Sequence, residues 1–345
     1  MRECLKRNIN PKGGKAPPTI AEAQKRFFGI YNGKLSSIDS KQRAALAGNI
    51  ALVATGGNTK PSLSIIDMGE GQSPQRMPET ILSLTKSNKL DIPFVQGKFG
   101  MGGSGVLRFC GSDHNLSLVI SRRHRDIPAN LDRTLYGEDT TRDLWGVTII
   151  RREDPKGGER SSRYTYLAPH GKILSFRADE LKLMPGAYPE AYGKPLVSDT
   201  FVRLYEYNVG AKLRSAIHTR LMWRLAFFMP DIAVPAKVFE RRPPRGNTLK
   251  GKSSYQSILA GLRARLDDDK MENLEPGSEW PGTGSFTAED QQFRYAIYVF
   301  KPDKKKGYTG DAKRDGIVFS VHGQLRRIKP TSPLKHGRKD MPMDW

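Results

Sequence analysis

Apolar and polar positions alternate in short runs along this chain, and the period of each run separates strands from helices. Residues 50–54 and 63–66 are apolar runs of strand length around a Gly56-Gly57-Asn58 turn, which predicts a β-hairpin. Four further strands are expected at 116–121, 145–151, 163–167 and 173–176. A stronger fifth lies at 200–207, Thr-Phe-Val-Arg-Leu-Tyr-Glu-Tyr. Helices are expected at 19–27 and at 40–48, the second opened by Asp39 or Ser40 as its cap. Leu213, Ile217, Leu221 and Leu225 fall four apart and mark one face of an amphipathic helix. A short helix is expected at 255–266, then two strands at 293–300 and 316–321 with Lys304, Lys305 and Lys306 on the loop between them. Breakers and charge set the divisions: a basic irregular stretch at 1–17, a first domain at 18–239 and a basic Pro/Gly linker at 240–252. A smaller domain at 253–328, incomplete in extent, and a polar tail at 329–345 follow.

Two glycine clusters interrupt the pattern at informative places. Asp67-Met-Gly69-Glu-Gly71 ends the second strand of the hairpin, and Gly97-Lys98-Phe99-Gly100-Met101-Gly102-Gly103-Ser104-Gly105 opens a helix-compatible stretch. Glycine lets a backbone approach a bound group, and free N–H groups at such turns suit phosphate. A carboxylate at residue 67 accepts a hydrogen bond from the exocyclic amine of adenine, with Gly69 and Gly71 giving a flat base room against the backbone. The small, cationic stretch Lys86-Ser87-Asn88-Lys89 has the make-up of a phosphate-covering lid.

Composition narrows the classes. The chain has 345 residues, 37% of them apolar, enough for a sizeable core and two domains. No run of 18 apolar residues and no signal-peptide core occurs, so no membrane partner is expected and the expected compartment is cytoplasmic. Cys4 and Cys110 form no metal or disulfide pattern, the six histidines are scattered, and Ser104 lacks a nucleophile-elbow context. A net charge of +21 favours polyanions, so a non-catalytic nucleic-acid-binding protein is the alternative function.

The two glycine boxes together resemble those of the GHKL ATPases, the superfamily of gyrase, the large heat-shock chaperone, histidine kinases and MutL. The form is most similar to the chaperone, MutL and MORC branches. The resemblance covers about residues 48–208. It implies a two-layer α/β sandwich (the Bergerat ATP-binding fold) followed by a smaller α/β transducer-like domain. ATP and Mg²⁺ are the implied ligands and a homodimer the implied assembly. It also implies that Asp67, Gly69 and Gly71 hold adenine, that Lys86, Ser87 and Lys89 belong to the lid, and that Gly97 to Gly103 hold phosphate. Asp199-Thr200-Phe-Val-Arg-Leu is similar to the family's later strand, which makes Thr200 a base-pocket residue. Here Asp199 replaces a glycine, and Thr148 in Gly146-Val-Thr-Ile competes for the role. The family's upstream helix carries a general-base Glu and, four residues on, a magnesium-binding Asn. Glu3 and Asn8 are the candidates, five apart; otherwise that helix precedes Met1, or ATP is bound without hydrolysis. A slow ATPase is the expected activity, and a histidine-kinase-type phosphotransferase the second alternative. Lys301 or one of Lys304 to Lys306 stands where the family's γ-phosphate lysine comes from the second domain.

Overall fold

The hairpin expected at residues 50–66 lies inside a nine-stranded mixed sheet. The computed structural model describes residues 1–84, 86, 89–97, 105–111, 115–209, 217, 220–243, 255–269, 274, 282–299, 301 and 316–330. They fall into two compact units, one of residues 1–222 with 233–260 and one of 223–232 with 261–345.

The strands of the first unit are β1 (Ile50–Gly56), β2 (Pro61–Asp67), β3 (Leu116–Arg122), β4 (Trp145–Glu153), β5 (Arg163–Tyr166) and β6 (Leu174–Phe176). After them come β7 (Leu181–Met184), β8 (Lys194–Leu196), β9 (Asp199–Leu204), β10 (Ala236–Glu240) and β11 (Gln256–Leu259). The sheet runs β11-β10-β1-β2-β9-β3-β4-β5, with β6 also on β4. Only β1 and β10 run parallel; the other pairs are antiparallel. Alternation along the strands gives each face its own cover. One face carries Ala51, Ile66 and Phe201, buried with Trp145 and Leu196 under Leu181, Met184 and Tyr192 of the β7–β8 region. The opposite face carries Val119 and Val202, packed with Met77 and Ile173.

Helices α1 (Arg2–Lys6), α2 (Ile20–Phe28), α3 (Ser40–Ala47) and α4 (Ala129–Tyr136) complete this unit. α3 starts where Asp39 and Gln42 form a reciprocal capping box, and Thr19 caps α2 by accepting from the Glu22 N–H. The N-terminal stretch, read as irregular, contains α1, because Cys4 and Leu5 have apolar partners. Cys4 packs with Ile9, Ala23, Ile92 and Phe94, and Leu5 with Ile127 and Leu131.

Three expectations need correction. The segment read as a helix at 255–266 begins instead as β11, paired with β10, and only then turns into the four-residue helix α6 (Gly261–Ala264). Gly261 explains the break: its φ is +86°, and a side chain there would lie 2.5 Å from the Pro230 carbonyl oxygen. Because β10 and β11 both lie in the large sheet, the first unit continues on both sides of the basic segment, of which 244–252 lie outside the described residues. The beginning of that segment is no linker: Glu240 closes β10, and its carboxylate is buried against Arg242 at 2.7 Å. Of the amphipathic helix, Leu221 and Leu225 lie in α5 (Arg220–Phe228), Ile217 is a buried turn residue, and Leu213 lies outside the described residues.

In the second unit β12 (Gly282–Ala288) pairs with β13 (Gln291–Ile297), and β14 (Gly316–Val321) with β15 (Gln324–Pro330). The strands expected at 293–300 and 316–321 are therefore in separate hairpins rather than partners. His322 and Gly323, both at positive φ, make the β14–β15 turn. Lys304 to Lys306 lie outside the described residues. The architecture is mixed α/β, and among the described residues no helix is long and apolar enough to cross a membrane.

Candidate functional site

One row of residues crosses the large sheet at the end of β2. Asp67 stands opposite Thr200 of β9, Thr200 opposite Ser121 of β3, and Ser121 opposite Gly146 of β4. Directly opposed residues share a face, so one carboxyl and two hydroxyls line up beside a glycine. The Ser121 hydroxyl donates to the Asp199 carbonyl at 2.8 Å, accepts from the Gln72 N–H at 2.8 Å and lies 3.0 Å from the Thr200 hydroxyl. Since Ser121 has a single proton, Thr200 is the donor between them, and its lone pairs remain for another partner. Thr148, the competitor, is opposite Val119 and donates to the Leu167 carbonyl at 2.8 Å. Register puts Thr200, and not Thr148, beside Asp67.

The turn after Asp67 needs both of its glycines. A Cβ on Gly69 would lie 2.3 Å from Asp67 Oδ1, because the Gly69 N–H donates to that carboxylate. Gly71 has φ +61°, and a Cβ there would sit 1.8 Å from the Arg122 carbonyl oxygen. Gly69 thus serves the carboxylate and Gly71 seats the turn on the end of β3. Arg123 clamps the same turn. It donates to Glu70 Oε2 at 3.0 Å, to the Gly71 carbonyl at 3.2 Å and to Asp132 Oδ1 at 2.6 Å, while Arg142 holds the other Asp132 oxygen at 3.0 Å. Burial opposes the charge on Arg123, but the bonds and charges of Asp132 and Glu70 prevail and hold it protonated.

The acids of the site are less well balanced. Burial pushes the Asp67 carboxyl up to about 6, with Lys89 drawing it down and Glu70 adding to the rise. Asp199 is pushed up to about 7, by burial first and also by the charge of Asp67. It has φ +90°, a backbone conformation natural to glycine. Its Oδ1 is buried without a hydrogen bond, and His124 Nε2 is 3.9 Å away.

The remaining expected residues divide. Lys89 reaches to 4.0 Å from Glu70 Oε1 and belongs to the Asp67 neighbourhood; Lys86 turns to Glu79 at 3.5 Å on the surface. Gly97 is exposed, whereas Ser87, Lys98, Phe99, Gly100, Met101, Gly102 and Gly103 lie outside the described residues. Arg2 donates to the Met68 carbonyl and to Asn49 Oδ1, so α1 abuts the glycine turn. Glu3 is paired with Arg2 at 2.9 Å. Asn8 follows the end of α1, exposed and at φ +55°, so the two share no helical face. Among the described residues no group of three His, Cys, Asp or Glu side chains is arranged to hold a metal.

Ser121, Gln72 and Arg123 are the functional neighbours that sequence reasoning missed. Ser121 could have been found by counting the register from Thr200; Arg123 carries no sequence signal beyond its charge. No family model matches the chain, and no curated protein matches it.

Proposed function

We propose that the chain is an ATP-binding protein of the GHKL type, with the first unit as a Bergerat-type sandwich. The observation that carries this reading is the row Asp67–Thr200–Ser121 at the strand ends, beside a turn whose two glycines cannot be replaced without a clash. A half-buried acceptor flanked by hydroxyls fits the adenine edge, which offers one amine donor and ring-nitrogen acceptors. In this reading Asp67 accepts from the exocyclic amine, Thr200 and Ser121 complete the base edge, and Lys89 faces the phosphates. The Gly97–Gly105 loop supplies backbone N–H groups to those phosphates.

Protonation sets a direction. The amine needs an acceptor, so ATP binds the ionised form of Asp67 more tightly. Affinity should rise with pH through about 6 and level off above it. Magnesium would come with the nucleotide, keeping phosphate oxygens and water as most of its ligands. Glu3 is neutralised by Arg2 and Asn8 is off the helix, so neither is placed as general base or metal ligand. ATP then serves first as a conformational ligand that closes the lid, and turnover is slow. Titration of a fluorescent ATP analogue with magnesium tests this: Asp67→Asn and Gly100→Ala should each weaken binding about tenfold or more. Equal affinity in the wild type and both variants ends the reading.

The second reading, nucleic-acid binding without catalysis, rests on the +21 net charge. It predicts steeply salt-dependent binding that Asp67→Asn leaves unchanged.

A further inference from the structure

At the end of β3 the chain carries two adjacent buried arginines with opposite fates. Arg123 is bonded to two carboxylates. Arg122, only 7% exposed, has no carboxylate partner at all among the described residues. Its Nη1 donates to the Ala178 carbonyl at 2.7 Å, a carbonyl that also accepts from the Trp145 indole N–H at 3.0 Å. Its Nε is buried with no hydrogen-bond partner. The guanidinium is thus held in place beside the Trp145 ring, 5.9 Å from its centroid, with most of its donors unused.

Arg122 lines an open hollow of about 250 Å³ together with Asp143, Arg177, Ala178 and Asp179. The two rim acids are already engaged, Asp143 with Arg142 at 3.4 Å and Asp179 with Arg125 at 3.8 Å. Arg177 is exposed and has no ion pair among the described residues. The lining is therefore two arginines and two aspartates, with each aspartate paired to a further arginine outside the hollow and neither to Arg122 or Arg177. A buried guanidinium with unused donors and no direct ion pair is costly, and its planar fork of N–H groups matches the paired oxygens of a phosphate.

We infer that this hollow is a binding site for a phosphate group, held between the guanidinium groups of Arg122 and Arg177. It is distinct from the Asp67 row and does not depend on the nucleotide reading. The hollow lies by the side chain of Arg122, whereas the Arg122 carbonyl carries the Gly71 turn, so the two sites meet through one residue's backbone. Burial, with the nearby Arg125, lowers the pKa of the Arg122 guanidinium, and Asp143 and Asp179 offset that only in part.

Calorimetric titration of the full chain with inorganic phosphate, at constant ionic strength against chloride, tests the site. Saturable binding is expected, weakened about tenfold or more in Arg177→Gln. Arg177 is exposed, so that variant keeps the fold and its affinity for an ATP analogue. Gly100→Ala, which alters the loop assigned to the nucleotide's phosphates, should retain this phosphate binding, which separates the two sites. Phenyl phosphate, run beside inorganic phosphate, distinguishes a monoester from the free ion: the tighter of the two names the source. Absence of binding by both, or equal binding in wild type and Arg177→Gln, overturns the inference.

Discussion

The end of β3 separates two regions that are unbalanced in opposite senses. On one side burial holds the carboxyls of Asp67 and Asp199 above the ordinary range, and the charge of Asp67 adds to the rise of Asp199. On the other, Arg122 and Arg177 border a hollow whose nearby acids have other partners. Between them the Arg123–Glu70–Asp132–Arg142 network is closed, each buried charge meeting an opposite one. The same stretch of chain thus shows what a purely structural buried charge looks like, which makes the two incomplete sides stand out. In the proposed readings an amine donor completes the acidic side and a phosphate the basic side.

The largest effect should come from opening the closed network. Arg123→Met leaves Glu70 and Asp132 buried without their main partner, and urea unfolding should show a loss of about 3–5 kcal/mol. A loss below about 1 kcal/mol would erase the contrast with Arg122. Gly71→Ala comes next, at roughly 3 kcal/mol, because a Cβ collides with the Arg122 carbonyl in a left-handed conformation. Thermal melting of that variant checks the seating of the turn.

Asp199→Asn should stabilise the protein, and the gain should depend on pH. The folded pKa of Asp199, about 7, lies above the value of an unfolded aspartate, so the native state holds the proton more tightly. Wild-type stability therefore falls as pH rises from about 4 to about 7 and is flat above, and the variant escapes that fall. The gain should grow by about 2 kcal/mol between pH 5 and pH 8. A gain that shrinks with pH would show that Asp199 is ionised and stabilised by His124. The smallest effect belongs to Arg177→Gln, within about 0.5 kcal/mol in phosphate-free buffer, since an exposed residue without an ion pair contributes little to the fold.

Much of the large sheet was legible. The apolar runs at 50–54, 63–66, 116–121 and 145–151 recur as β1 to β4 because each has β-branched or aromatic residues at strand period. Gln256-Ser-Ile-Leu was misread because a short apolar run has no period of its own, and pairing with β10 decided the matter. The strand Ala236–Glu240 was missed for a similar reason: two of its five residues, Lys237 and Glu240, are charged, and its parallel partner β1 lies far away in sequence. Of the site, Asp67 and its two glycines were visible as a motif, and Thr200 as a strand residue. Ser121 was not, since a serine ending an apolar strand becomes informative only once three strands are laid in register. Glu3 and Asn8 were candidates by residue type despite a spacing of five, and α1 ends before Asn8.

The role of Asp67 is tested most directly by comparing ATP with inosine triphosphate, whose ring carries an oxygen in place of the exocyclic amine. Equilibrium competition at pH 8 should show ATP preferred by about tenfold or more in the wild type, with the preference collapsing in Asp67→Asn. Equal affinity for the two nucleotides in the wild type, or a preference that survives the substitution, would contradict the assignment of Asp67 as the adenine acceptor.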